Sequence, residues 1–159
     1  MTTDQLAAAL AELGVDVARE GDDSFLVTLA GERRHRTLVW LVVGAHHILV
    51  ESFVCRAPDD NAEQVYRYLL QRNARLRSVA YALDAVGDIH LVGRVGRDTL
   101  TLGELDTVLG VVLTAADADF NAILERGFAG AIRREWAWRI SRGDSVRNLL
   151  AFRHLIDQP

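Results

Sequence analysis

The chain contains one cysteine, two prolines and no lysine among its 159 residues. The single cysteine, Cys55, excludes an internal disulfide, and a reducing compartment is therefore indicated. Half of the residues are hydrophobic, which together with the scarcity of proline excludes a disordered polypeptide. All eighteen basic residues are arginine, a bias that indicates a GC-rich genome rather than a phosphate-binding task.

The sequence also has no recognisable targeting or membrane-spanning segment. Residues 1–13 have no basic flank and place Asp4 and Glu12 within the apolar run, unlike a signal peptide. The unbroken apolar runs are far shorter than the ~20 residues that cross a bilayer. We therefore expect a cytoplasmic protein without a membrane partner.

Charge is distributed unevenly along the chain. Residues 1–125 hold eleven arginines against nineteen acids, whereas residues 126–159 hold seven arginines against three acids. A basic end of this kind suits either nucleic acid or an acidic surface of a protein partner. The net charge of −4 argues against nucleic acid as a partner, and a nucleic-acid-linked regulator is kept as the alternative function.

The pattern of apolar residues predicts an α+β protein. A capping box at Thr2 and Gln5 begins a first helix, and Gly14 ends it. A three-strand antiparallel meander follows, over residues 24–30, 37–43 and 48–55. The middle strand is apolar almost throughout, which predicts that both of its faces are covered.

The second half of the chain predicts a helix, a β-hairpin and C-terminal helices. The helix begins after Pro58, and the hairpin joins residues 79–85 and 89–95 through Gly87. A long amphipathic helix over residues 101–128 should pack across one sheet of five strands. Residues 1–159 are expected to form a single domain, with 144–159 as a possible helical appendage.

The stretch AIRREWAWRISRG (residues 131–143) can be interpreted as a strand or as a helix. In a helix, Ile132, Trp136 and Ile140 share one face, and Gly143 lies where the helix would end. We predict a helix with Trp136 in the core and Trp138 on the opposite side. The candidate partner-binding residues are those favoured at interaction hot spots in this stretch: Trp138, Arg134, Arg139 and Arg142.

No catalytic, cofactor-binding or metal-binding residues are predicted. The histidines have no zinc-binding spacing, and the adjacent His46 and His47 would point to opposite sides of a strand. Cys55 ends an apolar strand without a nearby histidine, which favours a packed side chain over a nucleophile. The sequence therefore predicts a protein that is not an enzyme.

Three segments resemble the YbjN family, also labelled bacterial sensory transduction regulators. They are YALDAVGDIHLVGRV (81–95), ELDTVLGVVLTAADADFNAILERGF (104–128) and IRREWAWRISRG (132–143). The resemblance implies a fold similar to type III secretion chaperones, which bind other polypeptides without catalysis and form dimers. The predicted function is thus a non-catalytic protein-binding module, chaperone-like or regulatory. It would bind a polypeptide client through exposed apolar surface and form a homodimer.

Overall fold

The computed structural model describes residues 1–157, which form one antiparallel sheet with helices. The helices are α1 (Thr3–Leu13), α2 (Ala62–Asn73), α3 (Leu102–Gly127), α4 (Ala129–Arg142) and α5 (Arg153–Ile156). The strands are β1 (Asp16–Arg19), β2 (Ser24–Ala30), β3 (Arg36–Val43), β4 (His47–Cys55), β5 (Val79–Leu83) and β6 (Ile89–Gly96). A 3₁₀ helix at Arg147–Phe152 precedes α5. The α+β class is confirmed, and so is the predicted element order apart from one additional strand.

The sheet of residues 1–157 has six strands, so the prediction of five was wrong. The strand order is β1-β2-β3-β4-β6-β5, and each neighbouring pair is antiparallel. The additional strand β1 turns the predicted three-strand meander into one of four strands. β1 has only four residues, three of them exposed, so it carries no alternation of apolar and polar residues. Its pairing with β2 makes it a strand.

The prediction that both faces of β3 are covered was also wrong. Val39 and Leu41 are fully buried, whereas Leu38 and Trp40, which alternate with them, are 45% and 40% exposed. Burial alternates along β3 because α1 and α3 cover only one face of the sheet. The opposite face is open and carries apolar side chains among polar ones.

The core lies between the sheet and the long helix α3, as predicted. α3 begins at the N-cap Thr101, whose hydroxyl accepts the N–H of Glu104, and buries a continuous apolar stripe. By length and composition α3 could cross a membrane, but 39% of its most apolar window is buried inside the protein. The buried stripe consists of Leu105, Val108, Leu109, Val112, Ala115, Ala116 and Ile123.

Local signals positioned the turns correctly. The Thr2 capping box is formed, and Gly14 ends α1 with φ +66°. Gly87 has φ +89° in the β5–β6 turn, where Asp84 accepts the N–H groups of Val86 and Asp88. Glycine tolerates these left-handed conformations because it has no Cβ.

The stretch with two tryptophans is helical, as predicted, but its burial differs from the prediction. Ile132 is the only buried residue of α4, Trp136 is partly buried and Ile140 is 58% exposed. The prediction that Trp136 belongs to the core was wrong. α4 packs mainly on α3, the 3₁₀ helix and α5 instead of on the sheet, and most of its residues stay exposed or only partly buried.

Candidate partner-binding surfaces

The uncovered side of the sheet carries a group of apolar side chains, and we call this side the open sheet face. Its apolar side chains lie on the side of the sheet away from the core: Leu26, Leu38, Trp40, Leu49 and Phe53. Leu26 lies directly opposite Trp40 across the β2–β3 pair. Phe53 is 46% exposed, and its ring meets the His90 ring edge-on at 5.4 Å. Exposed apolar side chains gathered in this way are typical of a protein-binding surface.

A second apolar surface lies between α2 and the edge strand β5, and we call it the α2–β5 groove. Its volume is about 230 Å³, and its lining residues are Tyr66, Leu69, Leu70, Asn73, Tyr81, Ala82 and Leu83. The Asn73 side chain accepts the Tyr81 N–H at 2.7 Å and donates to the Tyr81 carbonyl at 3.1 Å. The amide thus closes the strand edge at Tyr81, so a partner there would contact side chains instead of adding a strand.

Two of the four predicted partner-binding residues stand beside Trp138 on a third surface, the α4 surface. Trp138 is 52% exposed, and the Arg142 guanidinium lies 5.1 Å from its ring centre. Arg134 and Trp138 line the same shallow depression, together with Ala131 and Glu135. Trp138, Arg134 and Arg142 are therefore grouped together.

Arg139 is separated from this group by its internal bonds. Its Nε donates to Glu135 at 2.6 Å, and its Nη1 donates to the Ser145 carbonyl at 2.9 Å and to Asn148 at 3.1 Å. These bonds tie the end of α4 to the following turn. The structure thus gives Arg139 an internal role in joining α4 to the C-terminal segment.

The most buried charged group of the described chain joins α2, α3 and β5. Asp119 is 3% exposed and accepts hydrogen bonds from the Tyr68 hydroxyl at 2.7 Å, the Tyr81 hydroxyl at 2.8 Å and the Arg72 Nε at 2.8 Å. Burial, and then the bond to Asp119, raises the pKa of Tyr68 to about 12. The pKa of Tyr81 is raised as well, chiefly by burial. With three donors on one carboxylate, this cluster holds elements together.

Sequence reasoning missed the open sheet face and the Asp119 cluster. The sequence did contain a signal for the open sheet face, since apolar residues occupy both of the alternating sets of positions along β3. We interpreted that pattern as a strand covered on both faces, although it equally suits a strand whose outer apolar face is left uncovered. The Asp119 cluster joins residues 38 to 51 positions apart, and no spacing in the chain indicates it.

Comparison with known proteins identifies the fold and the family. A family model described as "YbjN: Putative bacterial sensory transduction regulator" matches residues 2–125, so α4 and the C-terminal segment lie outside the match. The uncharacterized protein ML2442 of Mycobacterium leprae is 56% identical over 132 residues, covering 83% of this chain and 72% of the relative. The uncharacterized protein Rv0487 of Mycobacterium tuberculosis is 54% identical over the same shares.

Two solved structures have a similar fold. One is the heterodimeric ExoU–SpcU complex of the type III secretion system of Pseudomonas aeruginosa, with a TM-score of 0.55 and 18% identity over 74% of this chain and 96% of the other. The second is the ExsC–ExsE complex, with a TM-score of 0.54 and 20% identity over 77% and 97% of the two chains. This chain belongs to the YbjN family and has a fold like that of type III secretion chaperones.

Proposed function

We propose that this protein is a non-catalytic, chaperone-like module that binds a polypeptide client on its open sheet face. The single observation that carries the proposal is the exposure of Leu38, Trp40 and Phe53 on neighbouring strands without a covering helix. The similar structures support it, because both are complexes of two different proteins. We place this activity in the cytoplasm.

The chemistry of the open sheet face favours a client segment with apolar side chains. Trp40 and Phe53 provide large rigid contact areas, the kind of side chain that dominates binding energy at interfaces. Glu51 lies directly opposite Trp40, and His90 lies directly opposite Phe53, so polar groups alternate with the apolar side chains. A client with apolar residues framed by polar ones would match this arrangement.

The α2–β5 groove is our candidate for self-association into a homodimer. Leu70 is 69% exposed on α2, and Leu83 is exposed beside it on the edge strand. A two-fold pairing would bury the same apolar groove on both copies. Client and second copy would then use different surfaces, so binding of one would leave the other free.

Three of the four predicted residues of α4, Trp138, Arg134 and Arg142, are kept as a secondary client contact centred on Trp138, while Arg139 ties the end of α4 to the following turn. They lie outside the segment that the family model matches, so they would add specificity to this chain instead of a property shared by the family. Trp138→Gln should therefore weaken client binding less than Trp40→Gln does.

The test compares proteins captured from the native lysate by the wild type, Trp40→Gln and the control Leu150→Gln. Leu150 is an exposed apolar residue of the 3₁₀ helix, so the control removes an exposed apolar side chain away from the open sheet face. A true client is captured by the wild type and the control, and its purified form binds Trp40→Gln about 30-fold more weakly, as expected for loss of a hot spot. Identical captured sets for all three proteins would contradict the proposal.

Self-association is tested separately by sedimentation at several concentrations. Leu70→Glu should shift the wild-type dimer to monomer while client capture stays unchanged. A wild type that is monomeric throughout would remove the dimer and leave the client proposal intact. Micromolar binding of duplex DNA at physiological salt, lost when Arg134 and Arg142 become glutamine, would favour the nucleic-acid alternative.

A further inference from the structure

We propose that the cavity between the end of α2 and the middle of α3 binds a phosphate-bearing small molecule of the mononucleotide class. The cavity has a volume of about 450 Å³, within the usual range for small-molecule sites. Three arginines line it: Arg72, Arg75 and Arg77. This site is separate from the open sheet face and from the α2–β5 groove, and it does not depend on the proposed function.

The charge of the cavity is not balanced within the protein. Arg72 donates to Asp119, and the charges of this pair offset each other. Arg75 and Arg77 are exposed and form no ion pair and no side-chain hydrogen bond with any residue of the described range 1–157, and no carboxylate lines the cavity. Two guanidinium groups therefore remain for an anion. One guanidinium group can donate two parallel hydrogen bonds to the oxygens of one phosphate.

The backbone that carries Arg77 is held in an uncommon conformation. Ser78 has φ +66°, and the Val79 N–H donates to the Arg77 carbonyl at 2.8 Å, which closes a γ-turn. Turns of this kind are strained in residues other than glycine. Gly93 makes the turn possible, because a Cβ there would lie 2.2 Å from the Ser78 carbonyl oxygen. This tight turn keeps Arg77 on the cavity wall with Arg72 and Arg75.

The wall contributed by α3 suits the flat body of a nucleotide. Gly110 stands in the middle of this wall, and a Cβ built there would meet nothing within 4 Å. Leu76 and Val111 also line the cavity and are apolar and partly buried. Thr114 adds an exposed hydroxyl. A phosphate at the arginines with a planar apolar group over Gly110 would use each of these features.

The experiment measures binding to the full chain by isothermal titration calorimetry with AMP, adenosine and inorganic phosphate as probes. We expect AMP to bind more tightly than either part alone. Arg75→Gln with Arg77→Gln should weaken AMP by at least about tenfold, since each bond to a charged group is worth about that much. The matched control is Arg36→Gln with Arg147→Gln, two exposed arginines without ion pairs in the described part of the chain, and it should bind AMP unchanged.

A second variant tests the site without weakening the fold. Gly110→Leu places a side chain in open space and replaces a glycine inside a helix, so the melting temperature should rise. The same change should weaken AMP by about tenfold or more and leave inorganic phosphate binding unchanged. Three outcomes would overturn the proposal: no heat with millimolar AMP, equal weakening by the control pair, or binding of an acidic peptide but not of AMP. Equal affinity for AMP and inorganic phosphate would overturn the nucleotide assignment.

Discussion

Asp119→Ala should be among the most destabilising single substitutions in the protein. It removes a carboxylate that is 3% exposed and accepts three hydrogen bonds, from Tyr68, Tyr81 and Arg72. Each bond to a charged group contributes about 1.5–3 kcal/mol, but water can reach the partly buried Tyr68 and Arg72 in the variant. The net loss of unfolding free energy should therefore be about 3–5 kcal/mol, as for other broken buried charge pairs.

The assay is urea unfolding followed by tryptophan fluorescence, together with thermal unfolding. For a domain of this size, the loss corresponds to a fall in Tm of about 6–20 °C. Asp106→Ala is the matched control, because Asp106 is an exposed acid on the same helix, and its replacement should change stability by less than about 0.5 kcal/mol.

A double-mutant cycle with Tyr81→Phe decides whether the cluster acts as a unit. The Tyr81 hydroxyl is buried and donates to Asp119, so its removal should cost less once Asp119 is alanine. We expect a coupling energy of at least about 1 kcal/mol. An Asp119→Ala cost below about 1 kcal/mol, or strictly additive effects, would refute the reasoning that this carboxylate joins α2, α3 and β5.

The remaining predictions concern backbone space, the two tryptophans and alkaline pH. Gly93→Ala should lower stability by about 2–3 kcal/mol because its Cβ would overlap a backbone carbonyl, whereas Gly110→Ala should raise it by about 0.5–1 kcal/mol; denaturant midpoints compare them. Trp136→Ala should cost about 1–2 kcal/mol and Trp138→Ala less than about 0.5 kcal/mol, and equal large losses would contradict their different burial. Because the folded pKa of Tyr68 is about 12, above the unfolded value of about 10, the stability it contributes is complete below pH 10 and falls as pH rises towards 12. Tyr68→Phe should remove this part of the alkaline loss in unfolding free energies measured from pH 9 to 12, and an unchanged pH profile would contradict it.

Most helices and turns could be predicted from the sequence because their signals are local. The Thr2 capping box, the glycine at the end of α1 and the Gly87 turn each depend on residues within four positions of one another. The 3.6-residue stripe of α3 identified its buried face, and Gly143 marked the end of α4. Physical preferences of single residues and short spacings were sufficient there.

The candidate surfaces could be predicted only in part, because exposure depends on which elements cover which face. The angular position of Trp138 around the helix correctly predicted that it lies outside the core. The same argument assigned Trp136 to the core, but Trp136 is only partly buried. The open sheet face was missed for the same reason. The apolar pattern of β3 is compatible with a helix on each side, and only the packing leaves one side uncovered.

The sequence by itself determined the α+β class, the order of the elements apart from β1 and most of their ends, since these follow from local periodicity, capping and turn residues. It identified the family through its resemblance to known sequences. Tertiary structure alone decided that β1 joins the sheet, that Leu38 and Trp40 face outward, and that Asp119 meets donors from α2 and β5. These outcomes arise from contacts between residues distant in the chain. Their free energy depends on which surfaces are removed from water together, and a linear pattern of residues does not specify that.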